Sequence, residues 1–209
     1  MKKKSLIILI AVGVIAIGAV AFFLLNRSNS SKTNNGGNTM GKSIVVYFSR
    51  ADENYSVGTV EVGNTELLAK EIVAKTGADE FKIVPKVAYP ANYNEAVEQA
   101  TKERNEQARP EYVDDVDLAD YDTIYFGYPI WWGDLPMIVY TFIENHDWNG
   151  KTVIPFNTHE GSGNAGTYDT LEEKMSGATL KGDGFNMSGS TARTDAGIKK
   201  LDEWLDSLD

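Results

Sequence analysis

The chain has 209 residues, of which 42% are hydrophobic and none is cysteine. A chain of this length suits one domain with an extension. The absence of cysteine excludes disulfides, thiolate metal sites and cysteine nucleophiles. All 30 acidic residues lie after residue 41, together with 15 of the 20 lysines and arginines, so that part has a formal charge of −15 (15 − 30). This charge argues against nucleic-acid binding and favours a basic partner.

Residues 1–25 have the pattern of a membrane segment. Lysines at positions 2–4 precede an uncharged apolar run over 6–25, and about twenty helical residues span about 30 Å, the thickness of a bilayer core. We expect an uncleaved single-pass anchor in the cell membrane, with the lysines in the cytoplasm and the remaining chain on the extracytoplasmic side. The alternatives are a signal peptide cleaved after Ala19-Val20-Ala21, or a cytosolic domain that starts at Met40.

Residues 26–41, with the sequence NRSNSSKTNNGGNTMG, contain nothing that would enter a core and predict a flexible linker. The sequence pattern of the remaining residues, 42–209, predicts a single domain. Strand-like runs alternate there with helical patterns. Strands are predicted at 43–49, 79–85, 121–130 and 151–159, with a weak fifth within 179–189, and helices at 64–77, 92–110, 136–146, 164–177 and 195–209.

This alternation predicts an α/β fold, an open five-stranded parallel sheet with helices on both faces in three α/β/α layers. In such sheets ligands bind outside the carboxyl ends of the strands, near the point where strand order reverses. The loops after the first, third and fourth strands are therefore the candidate site.

The first of these loops, SRADENYSVGTVEVGNT (49–65), is much longer than a strand-to-helix turn requires. Ser49, Asn64 and Thr65 offer hydroxyl and amide groups beside a helix N-terminus, which attracts phosphate, and Arg50 would add positive charge. Alternatively, Asn64 and Thr65 only cap the helix. The loop matches neither the dinucleotide-binding fingerprint nor the Walker motif.

The loop after the third strand, GYPIWWGDLP (127–136), contains two adjacent tryptophans, which suit a flat ring ligand. The alternative is that Trp131 and Trp132 pack under the following helix.

The loop after the fourth strand, THEGSGNAGT (158–167), combines glycines, which allow close backbone approach, with hydrogen-bonding side chains; an ordinary glycine-rich turn is the alternative. His159 has no triad or metal-ligand spacing around it, and His146 is expected at the surface of a helix end. We therefore predict no catalytic residue and no metal ligand.

With YFSR…GNTE, GYPIWWGDLP and TH-x-GSG, the sequence resembles the flavodoxin family from about Lys42 to the C-terminus. The resemblance implies strand order 2-1-3-4-5, noncovalently bound FMN and electron transfer. It also implies three groups of FMN contacts. The phosphate loop comprises Ser49, Arg50, Asn64 and Thr65; the loop flanking the isoalloxazine comprises Pro129, Ile130, Trp131 and Trp132; the second flavin loop comprises Thr158, Gly161, Ser162 and Gly163.

The segment ADENYSVGTVEV (51–62) departs from the family's compact phosphate loop. Tyr55 within it either approaches the flavin or anchors the loop. The preferred interpretation of the whole chain is a membrane-tethered FMN electron carrier with a basic redox partner. The same fold also hosts FMN-dependent NAD(P)H:quinone and nitro-compound reductases, although we find no second motif for NAD(P)H. A third interpretation is a non-redox interaction module, against which the flavin loops argue.

Overall fold

The computed structural model describes residues 41–208. The predicted anchor over 1–25 and the linker up to residue 40 lie outside the described residues. Within residues 41–208, no helix is both long and apolar enough to cross a bilayer.

Nine strands and six helices make up the described part. The strands are β1 (Ser43–Phe48), β2 (Asp52–Asn54), β3 (Gly58–Val60), β4 (Asp79–Pro85), β5 (Tyr112–Val113), β6 (Thr123–Pro129), β7 (Thr152–His159), β8 (Thr179–Leu180) and β9 (Phe185–Ser188). The helices are α1 (Asn64–Thr76), α2 (Tyr93–Asn105), α3 (Met137–Asn145), α4 (Thr167–Lys174), α5 (Gly189–Ala192) and α6 (Asp195–Asp206), with a 3₁₀ turn at Leu118–Asp120.

The main sheet has the order β5-β4-β1-β6-β7, and β8 and β9 both pair with β7. All of these pairings are parallel except that of β5 with β4. When β8 and β9 are counted as one interrupted strand, the five main strands follow the order 2-1-3-4-5. The predicted fold class and strand order are thus confirmed, and β5 is an addition that the sequence pattern did not indicate.

The core lies on both faces of the sheet, because the central strands are apolar at consecutive positions. In β1, residues 44–48 are all buried and alternate between two clusters, as a strand covered on both faces requires. One cluster joins Phe126 to Phe142 of α3, and the other joins Leu68 of α1 to Leu201 of α6. Full burial of each such side chain stabilises the fold by about 1.5–3 kcal/mol.

The sequence pattern predicts that the segment inserted after β1 is a loop. In the structure this segment contains a β-hairpin formed by β2 and β3. Its strands have three residues each, which is too few for a periodic signal. Glu53 attaches it to α2, because its carboxylate accepts hydrogen bonds from the Tyr93 amide (2.8 Å) and the Asn92 Nδ2 (3.0 Å). Arg50 also donates to the carbonyls of Glu53 and Pro90, both at 2.5 Å.

The expectation for His146 is wrong in one respect. The residue follows α3 directly, as predicted, but its side chain is only 7% exposed. The imidazole stacks on Phe142 at 4.0 Å, and its two nitrogens lie 2.7 Å from the Phe142 carbonyl oxygen and 3.1 Å from that of Val116. The His146 side chain is therefore buried against the C-terminal end of α3.

Candidate functional site

The N-terminus of α1 presents unpaired amides at the carboxyl edge of the sheet. A side chain at Gly63, which precedes the helix, would overlap the Ser49 hydroxyl and the Arg50 carbonyl, so only glycine fits. The Ser49 hydroxyl accepts the Glu66 amide at 3.1 Å. Among residues 41–208, no acceptor contacts the amides of Asn64 and Thr65. These two amides, together with the helix dipole, form a seat for an anion.

Arg193 places a positive charge beside this helix terminus. Its Nε donates to the Asn64 Oδ1 at 2.8 Å, and a second guanidinium nitrogen donates to the Val62 carbonyl. No motif in the sequence indicates Arg193, which follows Asn64 by 129 positions. Arg50, which the sequence assigned to the phosphate, uses both terminal nitrogens on carbonyl oxygens of the hairpin and of the segment before α2.

A carboxylate also lies near the anion seat. The Glu160 Oε1 accepts the Ser190 amide at 3.1 Å. A side chain at Gly189 would collide with both the Asn64 amide group and the Glu160 carboxylate, so these two groups converge at that point. Glu160 therefore opposes anion binding electrostatically, whereas Arg193 favours it.

The hydroxyls of Thr65 and Thr158 join two of the predicted loops. Their oxygen atoms lie 2.7 Å apart, and the two residues are 1% and 3% exposed. The Thr158 carbonyl in turn accepts the Ile130 amide at 2.8 Å. The first, third and fourth loops thus meet at one edge of the sheet, as the sequence predicted, although these two hydroxyls pair with each other.

The two tryptophans of the third loop face different surroundings. Trp131 and Asp134 exchange backbone hydrogen bonds, each 3.0 Å, around a two-residue turn in which Trp132 and Gly133 have φ values of 55° and 72°. Trp131 packs edge-on against Phe48 (5.4 Å) and Tyr89 (5.0 Å between centroids), whereas Trp132 is 51% exposed. Of the two tryptophans, therefore, only Trp131 packs against the interior.

The glycine-rich loop has backbone conformations that favour glycine. Gly161 and Gly163 have φ values of 111° and 62°, and a side chain at Gly161 would meet nothing within 4 Å, so the space beside it is open. The Gly161 amide donates to the His159 Nδ1 at 2.9 Å. This hydrogen bond from Gly161 to His159 stabilises the conformation of the loop. Ser162, which follows Gly161, is exposed.

These features enclose a cleft at the carboxyl edge of the sheet. Pro129, Ile130 and Trp131 form one wall, and Thr158, His159 and Glu160 form the floor near Asn64. Asn54, Tyr55 and Tyr93 also line the cleft. The sequence indicated Tyr55 as a possible flavin contact, but it gave no signal for Asn54 or Tyr93. Tyr55 is 60% exposed, and its ring lies 5.9 Å from that of Tyr93, so this residue both anchors the hairpin tip and borders the cleft.

Tyr89 supports the cleft from below. Its hydroxyl donates to the buried Glu103 carboxylate at 2.8 Å, and burial followed by the charge of Glu103 raises the pKa of Tyr89 far above its ordinary value. The hydrogen bond to Glu103 fixes the Tyr89 ring where it contacts Trp131. An anion seat, an aromatic wall and an open glycine loop together fit a phosphorylated flat ring such as FMN.

The family model described as flavodoxin matches residues 42–208. The chain therefore belongs to the flavodoxin family, and this membership supports the predicted cofactor, FMN. The comparison with curated proteins gave no match.

Solved structures agree with this assignment. A candidate flavoprotein from Bacteroides eggerthii is 30% identical, with a TM-score of 0.62, over 80% of this chain and 97% of its own. One from Bacteroides uniformis is 29% identical, with a TM-score of 0.63, over 79% and 98%. A Lactobacillus acidophilus flavoprotein in complex with FMN shares the fold, with 19% identity and a TM-score of 0.54 over 79% and 99%.

Proposed function

We propose that residues 42–208 bind FMN noncovalently and that the protein is a membrane-tethered electron carrier. The observation that carries this proposal is the convergence of three loops around one cleft that has an anion seat at one end and Trp131 along one wall. The Thr65–Thr158 hydrogen bond joins the first and fourth loops, and the Ile130–Thr158 hydrogen bond joins the third. Family membership and the FMN complex of the Lactobacillus acidophilus protein support the choice of cofactor.

Each part of the cleft has a role in this proposal. The amides of Asn64 and Thr65 and the guanidinium of Arg193 bind the phosphate group. Ile130 and Trp131 flank the ring and exclude water from it. The loop at 159–163 approaches the ring with its backbone, which the glycines permit. When bound, FMN supplies the capacity to accept and release electrons, and the chain contributes binding and electrostatics.

The charge of the domain suggests the kind of partner. A formal charge of −15 over residues 41–209 should attract a basic redox protein at long range and should lower the potential of the flavin. We further propose that residues 1–25 anchor the chain in the cell membrane, with the domain on the extracytoplasmic side. Protease treatment of intact cells tests this topology, since only an external domain is digested.

A reductase acting on quinones or nitro compounds with NAD(P)H is the second candidate. The observation that favours it is a small pocket between α2 and the third loop, which shares Trp131 with the cleft. The carrier needs no such pocket, because it passes electrons to a protein.

The experiment that separates the two uses the purified full chain loaded with FMN. After reduction by dithionite without oxygen, we expect rapid electron transfer to cytochrome c, a basic protein, with a rate that falls at least several-fold as salt screens the attraction. A rate independent of salt would contradict steering by charge. Sustained oxidation of NADH or NADPH with a quinone present would show that the protein is a reductase and not a carrier.

A further inference from the structure

We propose that His159 is a positioning residue whose neutral imidazole holds the glycine-rich loop in its binding conformation, so that proton uptake by His159 releases the loop and weakens FMN binding. The contact that carries this inference is the hydrogen bond of 2.9 Å between His159 and Gly161. The inference rests on the proposed function, because FMN is the ligand whose binding it makes dependent on pH.

The hydrogen bond determines which nitrogen of His159 carries the proton. The Gly161 amide can only donate, so the Nδ1 that it contacts is an unprotonated acceptor. The single proton of the neutral ring is then on Nε2, which lies 3.3 Å from the Asn186 Oδ1 and donates to it. The neutral imidazole therefore connects the loop to β9 through both of its nitrogens.

The protonated form of His159 is incompatible with this arrangement. An imidazolium carries a proton on both nitrogens and accepts no hydrogen bond, so the N–H of Gly161 would face a second N–H. The Gly161 amide must then turn away from His159 toward water. Gly161 has a φ of 111° and open space beside it, and glycine reorients its backbone at low steric cost. The conformation of the loop therefore depends on the charge of His159.

Neighbouring contacts confine this change to the first part of the loop. The buried Asn157 side chain donates to the Gly163 carbonyl at 3.3 Å, and the Thr167 hydroxyl donates to the Asn164 carbonyl at 2.7 Å. Amide and hydroxyl side chains do not change charge with pH in this range, so the second part of the loop stays in place. The backbone that moves is that of residues 161–162, which the proposed function places beside the flavin ring.

The surroundings of His159 contain charges of both signs. The titratable side chains that line the cleft together with His159 are Tyr55, Tyr93 and Glu160. The charge of Glu160 favours proton uptake by His159, whereas Arg193, which contacts Asn64, opposes it. The side chain that β9 contributes, Asn186, is uncharged. His159 is partly exposed, so solvent protons reach it, and histidine changes charge between about pH 5 and 8.

Two replacements of His159 separate the effect of the proton from that of the hydrogen bond. Asparagine accepts the backbone amide two residues later in many turns, so His159→Asn keeps an acceptor for Gly161 but does not titrate. His159→Ala removes both the acceptor and the titrating group. His146, the other histidine of the chain, is buried at the end of α3 and is the same in every variant.

The test is the FMN affinity of the purified full chain in mild detergent, measured by equilibrium dialysis at about pH 7.5 and about pH 5.5. The FMN phosphate also titrates near about pH 6, but it does so for every variant alike. Between these two pH values, the affinity of the unmodified chain should fall about fivefold more than that of His159→Asn, as expected for one lost hydrogen bond. His159→Ala should bind FMN weakly at both pH values.

Two results from proteins that circular dichroism shows to be folded would overturn the role of His159. One is an equal pH dependence of FMN affinity for the unmodified chain and for His159→Asn. The other is an FMN affinity of His159→Ala that matches the unmodified chain near about pH 7.5.

A nuclear magnetic resonance titration of the chain without FMN distinguishes failure of this inference from failure of the proposed function. The Gly161 amide signal should shift as His159 is protonated and should stay constant in His159→Asn. The same shift in a chain that binds no FMN would support the coupling and refute the proposed function. A Gly161 signal that does not respond to pH, in a chain that binds FMN, would refute the coupling alone.

Discussion

The hydroxyl groups of Thr65 and Thr158, from opposite halves of the chain, lie 2.7 Å apart and are almost fully buried. One belongs to the first turn of α1 and the other to the end of β7. The contact fixes the anion seat relative to the glycine-rich loop before any ligand binds. Preorganisation of this kind reduces the ordering cost of binding.

Replacing Thr158 by valine, which has nearly the same shape, leaves the Thr65 hydroxyl buried without a partner. We expect the free energy of unfolding to fall by about 1–3 kcal/mol, measured by urea denaturation. The Thr65→Val/Thr158→Val double variant should lose less than the sum of the two single variants, because it leaves no orphaned group. Strictly additive losses would show that the two hydroxyls do not act as a pair.

Arg193→Ala should weaken FMN binding about tenfold, because it removes the charge-assisted contact to the phosphate. Riboflavin has the same ring without the phosphate, so its affinity should not change. Arg50→Ala should instead lower stability and affect both flavins alike, since Arg50 holds the hairpin. If Arg50→Ala weakened the binding of FMN but not of riboflavin, and Arg193→Ala did not, Arg50 would be the residue that contacts the phosphate.

Glu160→Gln should tighten FMN binding several-fold, because it removes a negative charge near the seat while keeping an acceptor for the Ser190 amide. The effect should shrink at high salt and be absent for riboflavin. Glu172→Gln, an exposed change of the same charge on α4, is the control for the overall charge. If both variants bind FMN equally well, Glu160 has no local effect.

Glu66 should make stability depend on pH. Burial acts to raise its pKa, but ion pairs with Lys70 (2.8 Å) and Lys82 (2.6 Å) outweigh this and lower the pKa below 4.5. A lowered pKa in the folded state means that the stabilisation is complete above about pH 4.5 and is lost as pH falls through the folded-state value.

Urea unfolding of Glu66→Gln should therefore show a loss of stability relative to the unmodified chain near pH 7, and a smaller loss near about pH 3. Glu98→Gln, an exposed change on α2, serves as the control and should cost little at either pH. A loss from Glu66→Gln that is the same at both pH values would mean that the ion pairs do not stabilise the fold.

The strands with strong apolar runs could be predicted from the sequence, because burial on both faces leaves an uninterrupted pattern. β1, β6 and β7 are of this kind. β2, β3 and β5 were missed, since two or three residues are too few to give a periodic signal, and the pairing of β5 with β4 depends on a distant segment. The fifth strand was indicated weakly because it is divided into β8 and β9.

The meeting of the three loops that form the candidate site was predictable, but several of its side-chain contacts were not. Motifs placed the three loops at one edge of the sheet, which parallel topology brings together. Arg193 contacts Asn64, and Tyr93 lines the cleft, only because the chain folds, since both come from segments with no motif. Adjacent tryptophans suggested one platform, whereas the left-handed conformation of Trp132 separates them.

The most direct test of the central claim is titration of the purified full chain with FMN, followed by flavin fluorescence. We predict one bound FMN per chain, with strong quenching that Trp131→Leu reduces, because Trp131 flanks the cleft. Failure of a chain with native circular dichroism to bind FMN would contradict the account and leave an interaction module as the function to pursue.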